Sequence, residues 1–158
     1  MSTIIILSCI FAVLVGADQL IKLWAMNTLQ GNPIPIIDGV FELLYHENRG
    51  AAFGMLQGGR VIFIIMTLVI AAAGVWAMIK NPMFQKMGVR ICTTLIIAGG
   101  FGNWIDRVFR GYVIDYLYFK LINFPIFNLA DSCVTCGAIA LAAFILFSKE
   151  PEPLKKDG

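Results

Sequence analysis

Between Arg60 and Lys80 the chain runs nineteen residues, Val61 to Ile79, without a charge. A bilayer core of about 30 Å takes roughly 20 helical residues to cross, so this run is long enough for a membrane span. Three further stretches, at about residues 4–26, 87–105 and 128–148, have the same apolar character. Only 14% of the chain is charged, 59% is hydrophobic and the mean hydropathy is +0.81. Soluble domains are about a quarter charged, so the solvent expected for this chain is lipid. The expected fold is a membrane all-α protein with a small β element, built as one domain over residues 1–158.

The segments between the spans predict the rest of that architecture. Residues 31–60 carry Pro33 and Pro35, which exclude a helix, then the turn signal Asp38-Gly39 and an alternating stretch from Phe41 to His46. A β-structured platform is expected there, between spans one and two. Residues 107–127 are aromatic and amphipathic, and aromatic rings favour the membrane interface. An interfacial helix or loop is expected between spans three and four. Four spans put both termini, and the tail 149–158, on one side. The short loop holding Lys80, Lys86 and Arg90 has no acid, which places that side in the cytoplasm by the positive-inside rule. Lys and Arg nevertheless number six on each side, so orientation rests on the density of that loop.

Several functions are disfavoured. A net charge of +2, with no basic cluster interleaved with aromatics, gives no footprint for nucleic acid. Cys9, Cys92, Cys133 and Cys136 all lie in apolar runs, against a secreted disulfide framework. The C-x-x-C at Cys133 and Cys136 falls among Ser132, Thr135, Gly137 and Ala138, a composition suited to close helix packing. "ILSC" at residues 6–9 lacks the charged and apolar regions of a signal peptide and reads as the start of an uncleaved helix. His46 is the only histidine, so neither a metal site nor a Ser-His-Asp triad has its parts.

Carboxylates remain as catalytic equipment. Asp18, Gln19, Lys22, Asn103, Asp106, Arg107, Asn128 and Asp131 all fall at the same ends of their spans, with Asn48, Arg49 and Asp115 in the adjoining outer segments. Ionisable groups within spans are costly and mark function by default. Asp18 and Lys22, four apart on a helix, can pair with each other. Two neighbouring carboxylates can share a proton and activate water against a carbonyl. Asp131 is one candidate; Asp115, Asp106 and Asp18 are the possible partners, and spacing does not choose among them. A transporter or channel would need a polar track across the membrane, which the inner halves of spans two and four lack.

The motifs DQLIK (Asp18 to Lys22), NRGAAFG (Asn48 to Gly54), GNWIDR (Gly102 to Arg107), YVIDY (Tyr112 to Tyr116) and FNLADS (Phe127 to Ser132) follow in that order. Together, over about residues 11–148, they resemble the lipoprotein signal peptidases, the signal peptidase II family of bacteria. The resemblance implies a multi-pass intramembrane aspartic endopeptidase of the cytoplasmic (inner) membrane, with both termini cytoplasmic and its site near the extracytoplasmic face. The implied substrate is a prolipoprotein carrying diacylglycerol on a cysteine, cleaved just before that residue. The implied catalytic pair is Asp115 and Asp131. Asp18, Lys22, Asn48, Gly102, Asn103, Arg107, Asn128 and Ala130 match positions that shape or polarise the site. No metal or organic cofactor is implied; the partners are substrate and membrane lipid, and the enzyme is expected as a monomer. Two departures stand out: Tyr118 where family members often carry a second acid, and no Lys or Arg ahead of the first span.

Overall fold

The computed structural model describes residues 2–50 and 59–147. Residues 51–54 of the NRGAAFG motif and the tail at 149–158 lie outside the described residues. Four long helices dominate: α1 (Ser2–Thr28), α2 (Arg60–Lys80), α3 (Met87–Phe109) and α4 (Leu129–Phe147). Among the described residues α1, α2 and α4 are each long and apolar enough to cross a membrane. No residue of α2 is buried, and Val61, Val69 and Trp76 are each more than 60% exposed. In water that surface would be destabilising; its apolar character is what hydrocarbon solvates.

Helix α3 is different. Nine of its residues are buried, against three each in α1 and α4. It packs against the other three helices, and glycines permit the closest approach. A Cβ at Gly99 would overlap the Ala130 carbonyl oxygen and come within 2.9 Å of the Val134 side chain; one at Gly137 would sit 2.9 Å from the Cys92 carbonyl. The small residues around Cys133 and Cys136 therefore serve the α3–α4 contact, and both thiols are free.

One end of the bundle carries a three-stranded antiparallel sheet in the order β1 (Ile34–Ile37), β2 (Phe41–Asn48), β3 (Val113–Phe119). Pro35 is tolerated because β1 is an edge strand. Gly39, at φ 71°, makes the turn into β2. The platform expected from residues 31–60 is thus present, but it recruits a strand from the other outer segment. Residues 113–119 are a strand and not an interfacial helix. Val113, Ile114, Tyr116 and Phe119 are β-branched or aromatic, and pairing with β2 gives their backbone groups partners that a surface helix would not need. Ile114 and Tyr116 pack with Ala25 of α1 and with Leu29 just beyond its end. Strand alternation then sends Asp115 to the opposite face.

Two local devices aim the strand. Gly111, at φ 87°, ends α3 and turns the chain into β3. Leu43 pairs with Leu117 and His46 with Asp115, so β2 spends one extra residue in a bulge between those pairs. His46 itself is exposed. On its far side β3 is bridged by Phe127: Leu117 N–H donates to the Phe127 carbonyl at 2.8 Å and Phe127 N–H returns the bond at 3.0 Å. The start of α4 is therefore tied to the strand that carries Asp115.

Candidate active site

Helix α4 begins with a reciprocal cap. Asp131 N–H donates to Asn128 Oδ1 at 2.9 Å, and Asn128 N–H donates to Asp131 Oδ2 at 3.2 Å. This is the geometry of a capping box, here with Asn and Asp. It fixes Asp131 within the first helical turn, where the helix dipole favours negative charge. Tyr116 Oη accepts from Leu129 N–H and Asp18 Oδ1 from Ala130 N–H, each at 3.1 Å. Three of the free amides at this helix start are thereby satisfied by side chains.

Asn128 joins the two carboxylates. Its Nδ2 donates to Asp115 Oδ1 at 2.6 Å while its backbone amide holds Asp131. Asn48 Nδ2, from β2, donates to Asp115 Oδ2 at 2.9 Å. Asn103 Nδ2, from α3, donates to Asp131 Oδ1 at 2.7 Å. The asparagines thus orient the carboxylates. Burial first, and then the negative charge of Asp131, pushes the Asp115 carboxyl up to about 7 against the pull of the Asn48 and Asn128 hydrogen bonds.

Behind this pair lies a second cluster. Lys22, 0% exposed, gives one proton each to Asp18 Oδ2 at 2.8 Å, Asp106 Oδ2 at 2.9 Å and Asn103 Oδ1 at 2.9 Å. The i,i+4 pairing of Asp18 with Lys22 holds, and the ammonium has no donor left over. Asp18 and Asp106 are therefore engaged as partners of Lys22, which leaves Asp115 as the carboxylate beside Asp131. Gln19 Nε2 reaches the Gly102 carbonyl at 3.1 Å and Asp106 Oδ1 at 3.3 Å; Arg110 also pairs with Asp106 Oδ1. Gln19 and Asp106 are among the polar residues that the sequence gathers at one set of span ends, whereas Arg110 is not, and its only sequence signal is its i,i+4 spacing from Asp106.

Gly102 and Ala130 are small for a steric reason. A Cβ on Gly102 would lie 2.5 Å from Asp18 Oδ2 and 3.3 Å from the Ala130 Cβ. Gly102→Ala is expected to cost about 1–3 kcal/mol by overpacking, read as a lower Tm. Because it displaces the carboxylate that holds Ala130 N–H, turnover should fall as well.

The polar site opens on an apolar cavity of about 820 Å³ between α2, α3 and α4. Asp131, Asn103, Asn48 and Arg107 line its polar end, while Met66, Ile70 and Ile97 line its depth. Arg107 lies 4.7 Å above the Phe63 ring and donates to the carbonyls of Asn103 and Gly50, both at 3.4 Å. Neither bond goes to Asp115 or Asp131. Asp115 itself is fully buried behind Asn48 and Asn128.

A largely helical, lipid-solvated protein with a polar site at the mouth of an apolar cavity is built as a membrane-embedded enzyme. Residues 10–147 match the family described as Signal peptidase (SPase) II. A lipoprotein signal peptidase of Clostridioides difficile (strain 630) is 44% identical over 141 residues, covering 87% of this chain and 93% of the relative. One from Halothermothrix orenii is 45% identical, covering 81% and 86%. A solved structure described as a bacterial membrane enzyme, determined by the in meso method at 1.9 Å resolution, superposes with a TM-score of 0.80 at 33% identity, covering 90% of this chain and 94% of that one. The chain belongs to the signal peptidase II family. Membership sets aside the transporter and channel readings.

Proposed function

We propose that this protein is an aspartic endopeptidase that removes the signal peptide from diacylglyceryl-modified prolipoproteins, cleaving just before the lipidated cysteine. The observation that carries the reading is the meeting of Asp115 and Asp131 on the single residue Asn128 at the polar end of the cavity. Asp131, facing the cavity, takes a proton from a water that attacks the scissile carbonyl. Asp115, protonated near neutral pH, donates to the carbonyl oxygen to give a gem-diol. Collapse of the diol sends the proton on Asp131 to the leaving cysteine nitrogen and returns one from a diol hydroxyl to Asp115. The balance is one water consumed and one acid and one amine released. Arg107 offers its charge to the polarised carbonyl from the cavity wall. The apolar depth between α2, α3 and α4 accommodates the signal helix and lipid.

The same reading makes α3 the fourth span. Its 23 residues reach about 34 Å at 1.5 Å each, and its polar residues face protein, where they are affordable. The sheet then lies on the extracytoplasmic face of the inner membrane with both termini in the cytoplasm, and the working unit is a single-domain monomer.

The test is cleavage of a diacylglyceryl-modified prolipoprotein by purified protein in lipid or detergent. Two carboxylates suffice for the chemistry, so activity should survive a chelator. With the Asp115 carboxyl at about 7, the acid form is present below that pH. Turnover should hold into the mildly acid range and fall by about tenfold per pH unit well above 7. A rate that rises through pH 7–9, or that chelation abolishes, would overturn the reading.

A further inference from the structure

Arg110 lies outside all five motifs, at the C-terminal end of α3, where a cation is favoured by the helix dipole. Its guanidinium pairs with Asp106 Oδ1 and donates to Gln19 Oε1 at 3.0 Å. The buried group to which it belongs holds two acids, Asp18 and Asp106, and two bases, Lys22 and Arg110. With Arg110 the group is neutral. Without it one uncompensated negative charge remains on Asp106, whose side chain is 0% exposed. An uncompensated charge in such surroundings is costly and pulls on the cation that remains.

The other cation on Asp106 is Lys22, and it has a second task. The proton it gives Asn103 Oδ1 decides which way the Asn103 amide faces, so that Nδ2 points at Asp131. Asn128 Nδ2 adds a second bond to the same oxygen at 3.1 Å. Asp106 Oδ2 also accepts from Ile114 N–H at 3.2 Å, fixing β3 one residue before Asp115. Asp106 is thus connected to both carboxylates, through Lys22 and Asn103 on one side and through the strand on the other.

We propose that Arg110 is a positioning residue for hydrolysis: by balancing the charge of Asp106 it leaves Lys22 shared among three acceptors, and Lys22 in turn holds the Asn103 amide and Asp131 in register with Asp115. The proposal rests on Asp115 and Asp131 being the reacting pair. Arg110 touches neither substrate nor carboxylate of that pair, so its effect is on kcat and not on KM. Its side chain is 20% exposed, so water softens the loss.

The experiment measures kcat and KM separately for a diacylglyceryl-modified prolipoprotein. Arg110→Gln is expected to lower kcat by roughly tenfold with KM unchanged within about twofold. Arg110→Lys should retain most of kcat, because the charge remains. The swap Gln19→Arg/Arg110→Gln, which returns a guanidinium to the same carboxylate from α1, should recover kcat to within about threefold of the wild type. Wild-type kcat in Arg110→Gln would overturn the proposal. So would equal losses in the Gln and Lys variants, or a loss confined to KM. If Arg110→Gln fails to accumulate in membranes, the swap decides: an active swap supports the role, and a folded but inactive one refutes it. Asp131→Asn, assayed alongside, separates the two readings, since turnover retained there would count against the reacting pair and not against Arg110.

Discussion

Asp131→Asn and Asp115→Asn are each expected to lower turnover by roughly 10²–10⁴-fold while the protein still accumulates in membranes. The substitution keeps shape, removes ionisation and turns one acceptor oxygen into a donor. At position 131 an amide oxygen can still receive the Asn128 amide of the reciprocal cap, so α4 should start where it does now. One of the two donors now serving the carboxylate, Asn103 Nδ2 or Asn128 N–H, would lose its acceptor, a cost of about 1–3 kcal/mol. At position 115 the same choice arises between Asn48 Nδ2 and Asn128 Nδ2. Thermal unfolding in detergent measures these folding costs and turnover measures the chemistry. A folded variant with near-normal turnover would refute the pair. Asp106 and Asp18 would be poor replacements, because both are consumed by Lys22.

Lys22→Met is expected to be the most damaging single change to stability. Methionine fills a similar length but offers none of the three protons. Asp18 and Asp106, 2% and 0% exposed, would be left facing each other's charge with reduced compensation. Removing one partner of a buried ion pair costs about 3–5 kcal/mol, because the remaining charge stays out of water. Asp106 would retain Arg110, Gln19 and Ile114 N–H, while Asp18 would retain Gln19 and Ala130 N–H. Asp18 is therefore the more exposed to the loss. Lys22→Met should show a markedly lower Tm and almost no turnover, and adding Asp18→Asn should recover part of the Tm but not the turnover, since Asn103 still lacks its anchor. A Lys22→Met variant with wild-type Tm would show that the cluster is not held by this ammonium.

Residue order marks many of the polar residues that the structure brings together. Asp131 was marked by its place at the entrance of an apolar run, and Asp18 with Lys22 by their spacing. The motif resemblance singled out Asp115, whereas spacing alone left it level with Asp106 and Asp18. Their separation needed coordinates: Asp106 is a helical residue turned towards α1, and Asp115 is a strand residue turned away from it. The aromatic residues of segment 107–127 suit a membrane surface and lead to an expected interfacial helix or loop, whereas Val113–Phe119 form a strand. Its pairing with β2, more than 60 residues earlier in the chain, left no local trace, since a strand's partner is set by long-range register and not by its own composition.

What the sequence marked by itself was the apolar solvent and the set of helix ends at which polar residues gather. Long uncharged runs can only be stabilised by lipid, and charges at one set of span ends fix where polar chemistry can occur, because burying an ion in hydrocarbon is too costly elsewhere. What only the tertiary structure decided was who serves whom. The direction of each amide, the division of Lys22 among three oxygens, and the recruitment of Arg110 and Gln19 all depend on side chains brought together from α1, α3, β3 and α4. Hydrogen bonds act over about 3 Å and through fixed angles, and no pattern along one chain encodes that meeting.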